Sequence, residues 1–300
     1  MNFQYKCVLQ HLFSLLPRGA RLQYGWQRYI SKSLPPDKTE FLHKVAQAYQ
    51  HAQHFQNYHQ LKNPRQKYYE FGAGWTLIIP LAMRLLGFEV FCGDLRKLIF
   101  PSLIQDSWQK FHAYQSDLPF SYDPKFSKPL PPKNLIKHLS QAHQVHYRAP
   151  SDARNTGFKN NYFDLISSTV TLEHVPKQDI LPIFQECHRI LQKGGILSLV
   201  IDYQDHWAYF DPSISIYNFL RYSPTQWKWY NPSLHYQNRL RHSDYLNLIS
   251  QTDFKLVYAA PWQASLEDKQ ALAALPRANM YQDYDLDDLS IKGSEIVLRK

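Results

Sequence analysis

Apolar and polar positions over the first sixty residues follow a helical rhythm, with no strand pattern among them. Phe41, Val45, Ala48 and Tyr49 recur at helical spacing behind Asp37 or Thr39, either of which can cap the helix. Pro17 and Pro35-Pro36 interrupt the run, so residues 1–62 read as an N-terminal helical cap. The pattern then changes. Lys67-Tyr68-Tyr69-Glu70-Phe71 predicts a short strand ending in Gly72-Ala73-Gly74. Residues 76–86 predict a helix stopped by Gly87, and 88–92 a second strand closed by Gly93-Asp94. Pro80 sits early in that helix, where its missing N–H is tolerated if the helix starts a residue or two after Thr76. Strand, glycine turn, helix and strand make a βαβ unit, with a right-handed crossover expected.

Residues 96–142 are proline-rich and irregular, with helices predicted at 102–114 and 133–141. A third strand is expected at 144–147 and a fourth at 163–168. Across 176–192, Ile180, Ile183, Phe184, Cys187, Ile190 and Leu191 share one helical face, and Gly194-Gly195 ends the helix. The near-continuous apolar run 196–201 reads as a buried strand. After an aromatic stretch at 202–240, Ser243 is placed to cap a helix through Tyr245, Leu246 and Ile249. Strands follow at 254–259 and 295–299. The alternation argues for an α/β fold with a mostly parallel sheet covered on both faces. Residues 63–300 form one domain in this reading, with insertions at 96–142 and 202–240.

Composition narrows this little. Hydrophobic residues make up 44% and charged residues 20%, as in globular chains. The formal charge of +9 permits an anionic partner. No RNA-binding signature, zinc-ligand spacing or long Lys/Arg run accompanies it, so neither nucleic acid nor a metal is expected. Cys7, Cys92 and Cys187 are odd in number and far apart, which argues against a disulfide framework and for a reducing, cytoplasmic setting. No apolar run reaches the ~20 residues of a spanning helix. Residues 1–16 form either a solvated or packing helix or a basic amphipathic helix that touches a membrane, helped by Arg18, Arg21 and Arg28.

Candidate chemistry begins at the glycine turn. Glycines at the carboxyl end of the first strand let backbone approach a ligand, and the helix N-terminus behind them offers free N–H groups. The dinucleotide pattern G-x-G-x-x-G is not met, because Leu77 stands at its third glycine. Asp94, about 20 residues on, sits where a carboxylate can meet ribose hydroxyls across the strand tips.

Taken in order, these motifs and those that follow resemble the class I S-adenosylmethionine-dependent methyltransferase superfamily, from about Lys67 to Val200 and more weakly to the end. Glu70-Phe71-Gly72-Ala73-Gly74-Trp75-Thr76 is similar to its first motif, acid-x-Gly-x-Gly, with Thr76 where a third glycine is frequent. Asp94 is similar to the acid that binds the cofactor ribose, and Ser151-Asp152-Ala153 to the Asp-Ala pair whose acid meets the adenine amino group. Asn161-Tyr162-Phe163-Asp164-Leu165-Ile166 resembles the fourth-strand signature and Leu172-Glu173-His174-Val175 the "LEHV" segment. Arg189-Ile190-Leu191-Gln192-Lys193-Gly194-Gly195 resembles the "R-x-L-x-x-G-G" helix end. The third-strand region departs most, since the proline-rich insertion precedes it. The resemblance implies a Rossmann-like, doubly wound, seven-stranded sheet with its last strand antiparallel, and S-adenosyl-L-methionine as cofactor. It makes Glu70, Gly72, Ala73, Gly74, Thr76, Asp94, Asp152 and Ala153 cofactor-binding candidates, with Thr169 lining the pocket from the fourth strand. Asp164, at the start of that strand and far from the carboxyl ends where ligands bind, is expected to be structural.

The aromatic insertion starts at the carboxyl end of the fifth strand, beside this expected cofactor mouth. Tyr203, Tyr209 and Tyr222 read there as substrate-binding residues of a lid, or equally as a satellite hydrophobic cluster. Methyl transfer to a hydroxyl needs a positioned proton acceptor. His206, then His174, are the candidates, because imidazole titrates near neutral pH. The leading expectation is O-methylation of a small molecule or glycan. Alternatives are a lipid, quinone or nucleic-acid acceptor, or a cofactor-binding protein without turnover.

Overall fold

Asp37, rather than Thr39, opens the long N-terminal helix: its carboxylate accepts the Glu40 N–H at 2.9 Å. The computed structural model describes residues 3–16, 24–25, 28, 34–62, 64–123, 126, 130–131 and 133–300. Pro17, Arg18 and Arg21 lie outside the described residues. In chain order the main elements are α1 (Phe3–Leu15), α2 (Lys38–Tyr58), β1 (Lys67–Phe71), α3 (Ile78–Leu85), β2 (Glu89–Gly93), α4 (Pro101–Ala113), α5 (Leu135–His143) and β3 (Val145–Arg148). They continue with β4 (Phe163–Thr169), α6 (Lys177–Ile190), β5 (Leu191–Asp202), α7 (Pro224–Tyr230), α8 (His242–Ser250), β6 (Lys255–Trp262), α9 (Leu266–Ala274), α10 (Leu286–Ser290) and β7 (Gly293–Arg299).

The strands form one sheet in the order β3-β2-β1-β4-β5-β7-β6. Strands β1 to β5 pair in parallel, and β7 runs antiparallel between β5 and β6. Strand alternation sends neighbouring residues to opposite faces. Tyr68, Val90, Leu165 and Ile196 pack beneath α2, α3, α4 and α5, while Tyr69, Ile166, Leu197 and Leu199 pack against α6 and α8. Helix α3 begins at Ile78, so Pro80 falls in its first turn, where no intrahelical N–H is required.

Several expectations change in three dimensions. Gly194-Gly195 does not end a helix but bulges a strand. β5 starts at Leu191, and its register against β4 shifts between Phe163 and Leu165. Gly194 has φ of 88°, and a Cβ at Gly195 would stand 2.7 Å from the Asp164 carbonyl oxygen, so only glycine fits. Ser243 is not the cap of α8. Asp244 accepts the Arg241 N–H at 2.9 Å, and the Ser243 hydroxyl instead donates to Asp288 at 2.6 Å. The expected cap of residues 1–62 divides in two. Helix α2 buries Phe41, Val45, Ala48 and Phe55 in the first core face. Helix α1 docks on the aromatic stretch, sinking Phe3 and Cys7 among Trp207, Tyr217 and Trp227. The 96–142 stretch supplies Ile104, Trp108, Phe111, Leu135 and Leu139 to the first core face, so it is a structural layer of the domain. Asp164 is structural as expected, taking the Lys67 N–H and the Gln192 amide, each at 2.9 Å. Among the described residues, no helix is long and apolar enough to cross a membrane.

Candidate active site

The carboxyl ends of β1, β2, β4 and β5 share one edge of the sheet, where a parallel α/β fold leaves its ligand crevice. Beyond β1 the chain turns through Gly72 and Gly74, at φ of 78° and 72°. A side chain on Gly72 would run into Thr171, just past β4, whereas a Cβ on Gly74 would meet nothing within 4 Å. Asp94, directly after β2, folds back onto this loop. Its Oδ1 accepts the Gly74 N–H at 3.1 Å and its Oδ2 accepts the Tyr147 hydroxyl at 2.9 Å. The glycine turn and the acid therefore converge as the spacing predicted. Burial pushes Asp94 up to about 6, against the two hydrogen bonds that lower it.

Glu70 lies beneath the same loop, 1% exposed, with its Oε2 buried and without a hydrogen-bond partner. Burial first, then the Asp94 charge, push its carboxyl well above the usual range, and Lys44 of α2 pulls it back. Ala73 is half-buried in the turn and Thr76 is buried just ahead of α3. Trp75 stacks parallel to Phe100 at 5.8 Å, and Tyr24 lies on Phe100 at 3.7 Å, so an N-terminal ring covers one side of the loop. An acidic glycine turn with an unsatisfied carboxyl oxygen beneath it suits a ligand carrying a cationic group and a diol.

Asp152 is less free than the motif implied. Arg154 grips both its oxygens at 2.7 to 3.1 Å, and holds its carboxyl below the usual range. Ala153 is packed against the second core face. Thr169 is buried with its hydroxyl 3.0 Å from His51 Nε2, so it faces α2 instead of lining the pocket. His51 continues to Ser198 Oγ at 2.7 Å, and His54 reaches the same hydroxyl at 3.0 Å. Burial, then the neighbouring His54, bring His51 down to about 3. Neither histidine was singled out in the sequence. The signal was there: both fall on the apolar stripe of Val45, Ala48, Ala52 and Phe55.

The β4 and β5 tips carry a second cluster. His174 and His206 come together with ring centroids 4.9 Å apart. His174 bonds through Nδ1 to the Tyr236 carbonyl at 2.7 Å. Packed walls, then the facing His206, lower it to about 4, although one edge of the ring reaches solvent. Glu173 is 2% exposed, and neither of its oxygens has a hydrogen-bond partner. Burial, then the Asp202 charge, push it well above the usual carboxylate range. Asp202 lies 3.3 Å from His206 Nε2 and accepts the Tyr209 hydroxyl and the Gln204 N–H. Burial alone would raise Asp202, but His206 and Tyr209 outweigh it and hold the carboxyl below its usual range. Glu173 stands in the LEHV segment, and Asp202 opens the aromatic stretch at the carboxyl end of the fifth strand. Nothing in their spacing announced that the two strand tips would bring them together.

The aromatic stretch divides between its two readings. Tyr209 is 55% exposed with its hydroxyl on Asp202, at the mouth. Tyr203 is not a substrate wall. It is 1% exposed, bonded to Ser294 at 2.6 Å and stacked on Tyr245, because the residue after Asp202 turns to the opposite face. Tyr222 packs against Trp227 and Tyr230 in the satellite cluster. Arg239 and Arg241 pin the stretch from beneath. Arg241 is fully buried and donates to the carbonyls of Tyr203, Leu289 and Ile291 at 2.5 to 2.8 Å. A surface depression of about 750 Å³ formed by residues 112–121 holds none of the groups gathered at the strand tips.

Residues 132–199 match the family model of a methyltransferase domain. No curated protein matches the chain. Among solved structures, a protein of Pyrococcus horikoshii OT3 is similar at a TM-score of 0.50 and 10% identity, covering 92% of this chain and 98% of that one. A SAM-dependent methyltransferase of Methanosarcina mazei is similar at 0.44 and 14% identity, covering 82% and 95%. Geranyl diphosphate C-methyltransferase of Streptomyces coelicolor A3(2), solved with Mg2+, geranyl diphosphate and S-adenosyl-L-homocysteine, is similar at 0.48 and 13% identity, covering 89% and 86%. At these identities the likeness is one of fold.

Proposed function

We propose that the chain is a class I S-adenosylmethionine-dependent methyltransferase, a reading supported by the family match over residues 132–199 and by the strand order, and that it methylates an oxygen of a small-molecule or glycan acceptor. S-adenosylmethionine, when bound, supplies a sulfonium methyl that passes to a nucleophile while the C–S electron pair stays on sulfur. The unsatisfied Glu70 oxygen and the glycine turn at Gly72, Ala73 and Gly74 support a seat there for its methionine portion, with Thr76 at the helix entrance. Asp94 has lone pairs left for ribose hydroxyls. An adenine near Ala153 would share Asp152 with Arg154.

The observation that carries the acceptor reading is the Asp202–His206 pair, seated beside His174 at the β4–β5 tips under exposed Tyr209. In this reading Asp202 orients the imidazole and His206 takes the hydroxyl proton, with His174 as the nearest substitute. The test is incubation with deuteromethyl-labelled cofactor and pools of phenols, sugars and hydroxy acids, followed by mass spectrometry of the products. Label on oxygen supports the reading, and label on carbon or nitrogen alone defeats it.

A specific observation also favours a lipid or quinone acceptor. Helix α1 turns Tyr5, Val8 and Leu12 outward along one face, at 76%, 60% and 54% exposure, and Leu16 just past its end is 49% exposed. Co-sedimentation with anionic vesicles, lost in Leu12→Glu, would support this second acceptor class. Absence of vesicle binding in the unaltered chain would remove it.

A further inference from the structure

The β4–β5 tips hold more lone pairs than donors. Both carboxylate oxygens of Glu173, His206 Nε2 and His235 Nε2 are buried without a hydrogen-bond partner. They are neighbours: Glu173, His174 and His206 offer ligand atoms all within 4.8 Å of one another, and the His206 and His235 rings lie 6.1 Å apart. Among the described residues, no lysine or arginine pairs with Glu173 or Asp202. Buried acceptors in this number are ordinarily satisfied by protein, water or an ion.

We infer that Glu173, His174 and His206 bind a divalent transition-metal ion at the mouth of the acceptor pocket, with Asp202 as the fourth protein ligand. Two imidazoles and carboxylates are a donor set suited to zinc or another first-row divalent ion rather than to magnesium or calcium. The tautomers fit. His174 commits Nδ1 to the Tyr236 carbonyl at 2.7 Å, which leaves Nε2 as its free lone pair, and such an outer partner is what orients ligating histidines. The spacing of His206 and Asp202 also fits. Nε2 and Oδ2 stand 3.3 Å apart without a hydrogen bond between them. Two ligands on adjacent corners of a tetrahedron with metal bonds of about 2.0–2.1 Å are separated by roughly this distance. Tyr209, bonded to Asp202, and Gln204 N–H supply outer contacts to that carboxylate. Glu173 sits two residues after Thr171, the side chain that presses on Gly72, so the ion would lie on the segment shared with the cofactor turn.

Metal binding stands independently of the acceptor class; its consequence for catalysis rests on the O-methylation reading. With the ion bound, His206 is a ligand and no longer the proton acceptor. An ion that accepts a fifth ligand would hold the acceptor hydroxyl there and make its proton easier to lose to the solvent that reaches the site beside His174.

The experiment uses the full chain freed of metal with a chelator, then titrated with Zn2+ and, for its visible absorption, with Co2+. One equivalent of either ion is expected, with Co2+ bands of the intensity that four- or five-coordinate sites give. Glu173→Gln and His206→Ala should each weaken Zn2+ binding at least about 100-fold, while cofactor affinity and the far-ultraviolet circular dichroism stay unchanged. No stoichiometric binding, or binding that persists in the Glu173→Gln, His206→Ala double variant, overturns the site. Because no acceptor is present, failure here leaves the O-methylation reading standing, and failure of the acceptor screen leaves the metal site standing.

Discussion

The two halves of the strand-tip edge are built on different principles. At β1 and β2 the ligand-facing surface is mostly backbone, with two acids: Asp94, whose hydrogen bonds to Gly74 and Tyr147 are already made, and Glu70 beneath the loop, with one oxygen unpartnered. At β4 and β5 it is made of side chains from three stretches, Glu173-His174, Asp202–His206 and His235, and several of their buried atoms have no partner. The first half holds its shape through glycine geometry and leaves a single atom, Glu70 Oε2, without a partner. The second is a set of charges and lone pairs waiting for an acceptor or an ion. A fixed cradle suits a shared cofactor; the part of the molecule that selects an acceptor is the part left with the most unpartnered atoms.

The sharpest way to break this contrast is His206→Ala. Turnover should fall by about 10²–10⁴-fold, as for loss of a positioned proton acceptor or of a metal ligand, while calorimetry finds cofactor affinity within about two-fold. Equal loss of both would mean that the two halves are one site. Next in size is Gly72→Ala, which should cost about 2–4 kcal/mol in urea unfolding. Positive φ and collision with Thr171 act together there, whereas Gly74→Ala meets only the φ cost of about 1 kcal/mol. Similar losses at the two glycines would remove the claim that Gly72 is locked by β4.

Asp94→Asn should weaken cofactor binding by about 1–3 kcal/mol. The same group gives a pH signature. Its folded pKa, about 6, lies above the ordinary 3.8, so the folded state binds the proton more tightly than the unfolded chain. The stability this contributes is fully present below pH ~4 and is lost as pH rises through 6, a difference of about 3 kcal/mol in the ligand-free protein. Asp94→Asn should abolish that slope. Cofactor affinity should move the opposite way and fall as pH drops through 6, since the ionised carboxylate is the better acceptor for ribose hydroxyls. A flat affinity profile would take Asp94 out of the cofactor seat. The smallest effect belongs to Tyr209→Phe, which removes a donor from Asp202. KM for the acceptor should rise about two- to five-fold with cofactor affinity unchanged.

Legibility followed the same divide. The glycine turn and Asp94 could be found because a βαβ unit brings successive strand tips side by side, so sequence spacing translates directly into distance. Tyr203 and Thr169 misled for the converse reason. Asp202, next to Tyr203, does stand at the site, but whether a given residue faces a crevice or a core depends on strand alternation and on which helix covers it. His51 and His54 were hidden because polar residues on an apolar helix face show their purpose only once Ser198 is seen beneath them. The expectation of no metal came from looking for ligands at short sequence spacing, and Glu173, Asp202 and His206 gather across two strands instead.

By itself the sequence determined the α/β alternation, the order of the motifs, the seat of the glycine turn and the acid opposite it. Each of these rests on interactions between residues near in the chain or joined by one crossover. Only the tertiary structure decided where α1 docks, that Gly194-Gly195 bulges β5, and that two histidines and two carboxylates share one corner of the strand tips. Those outcomes depend on contacts between distant segments, and periodicity carries information about which face of an element is buried, never about what it is buried against.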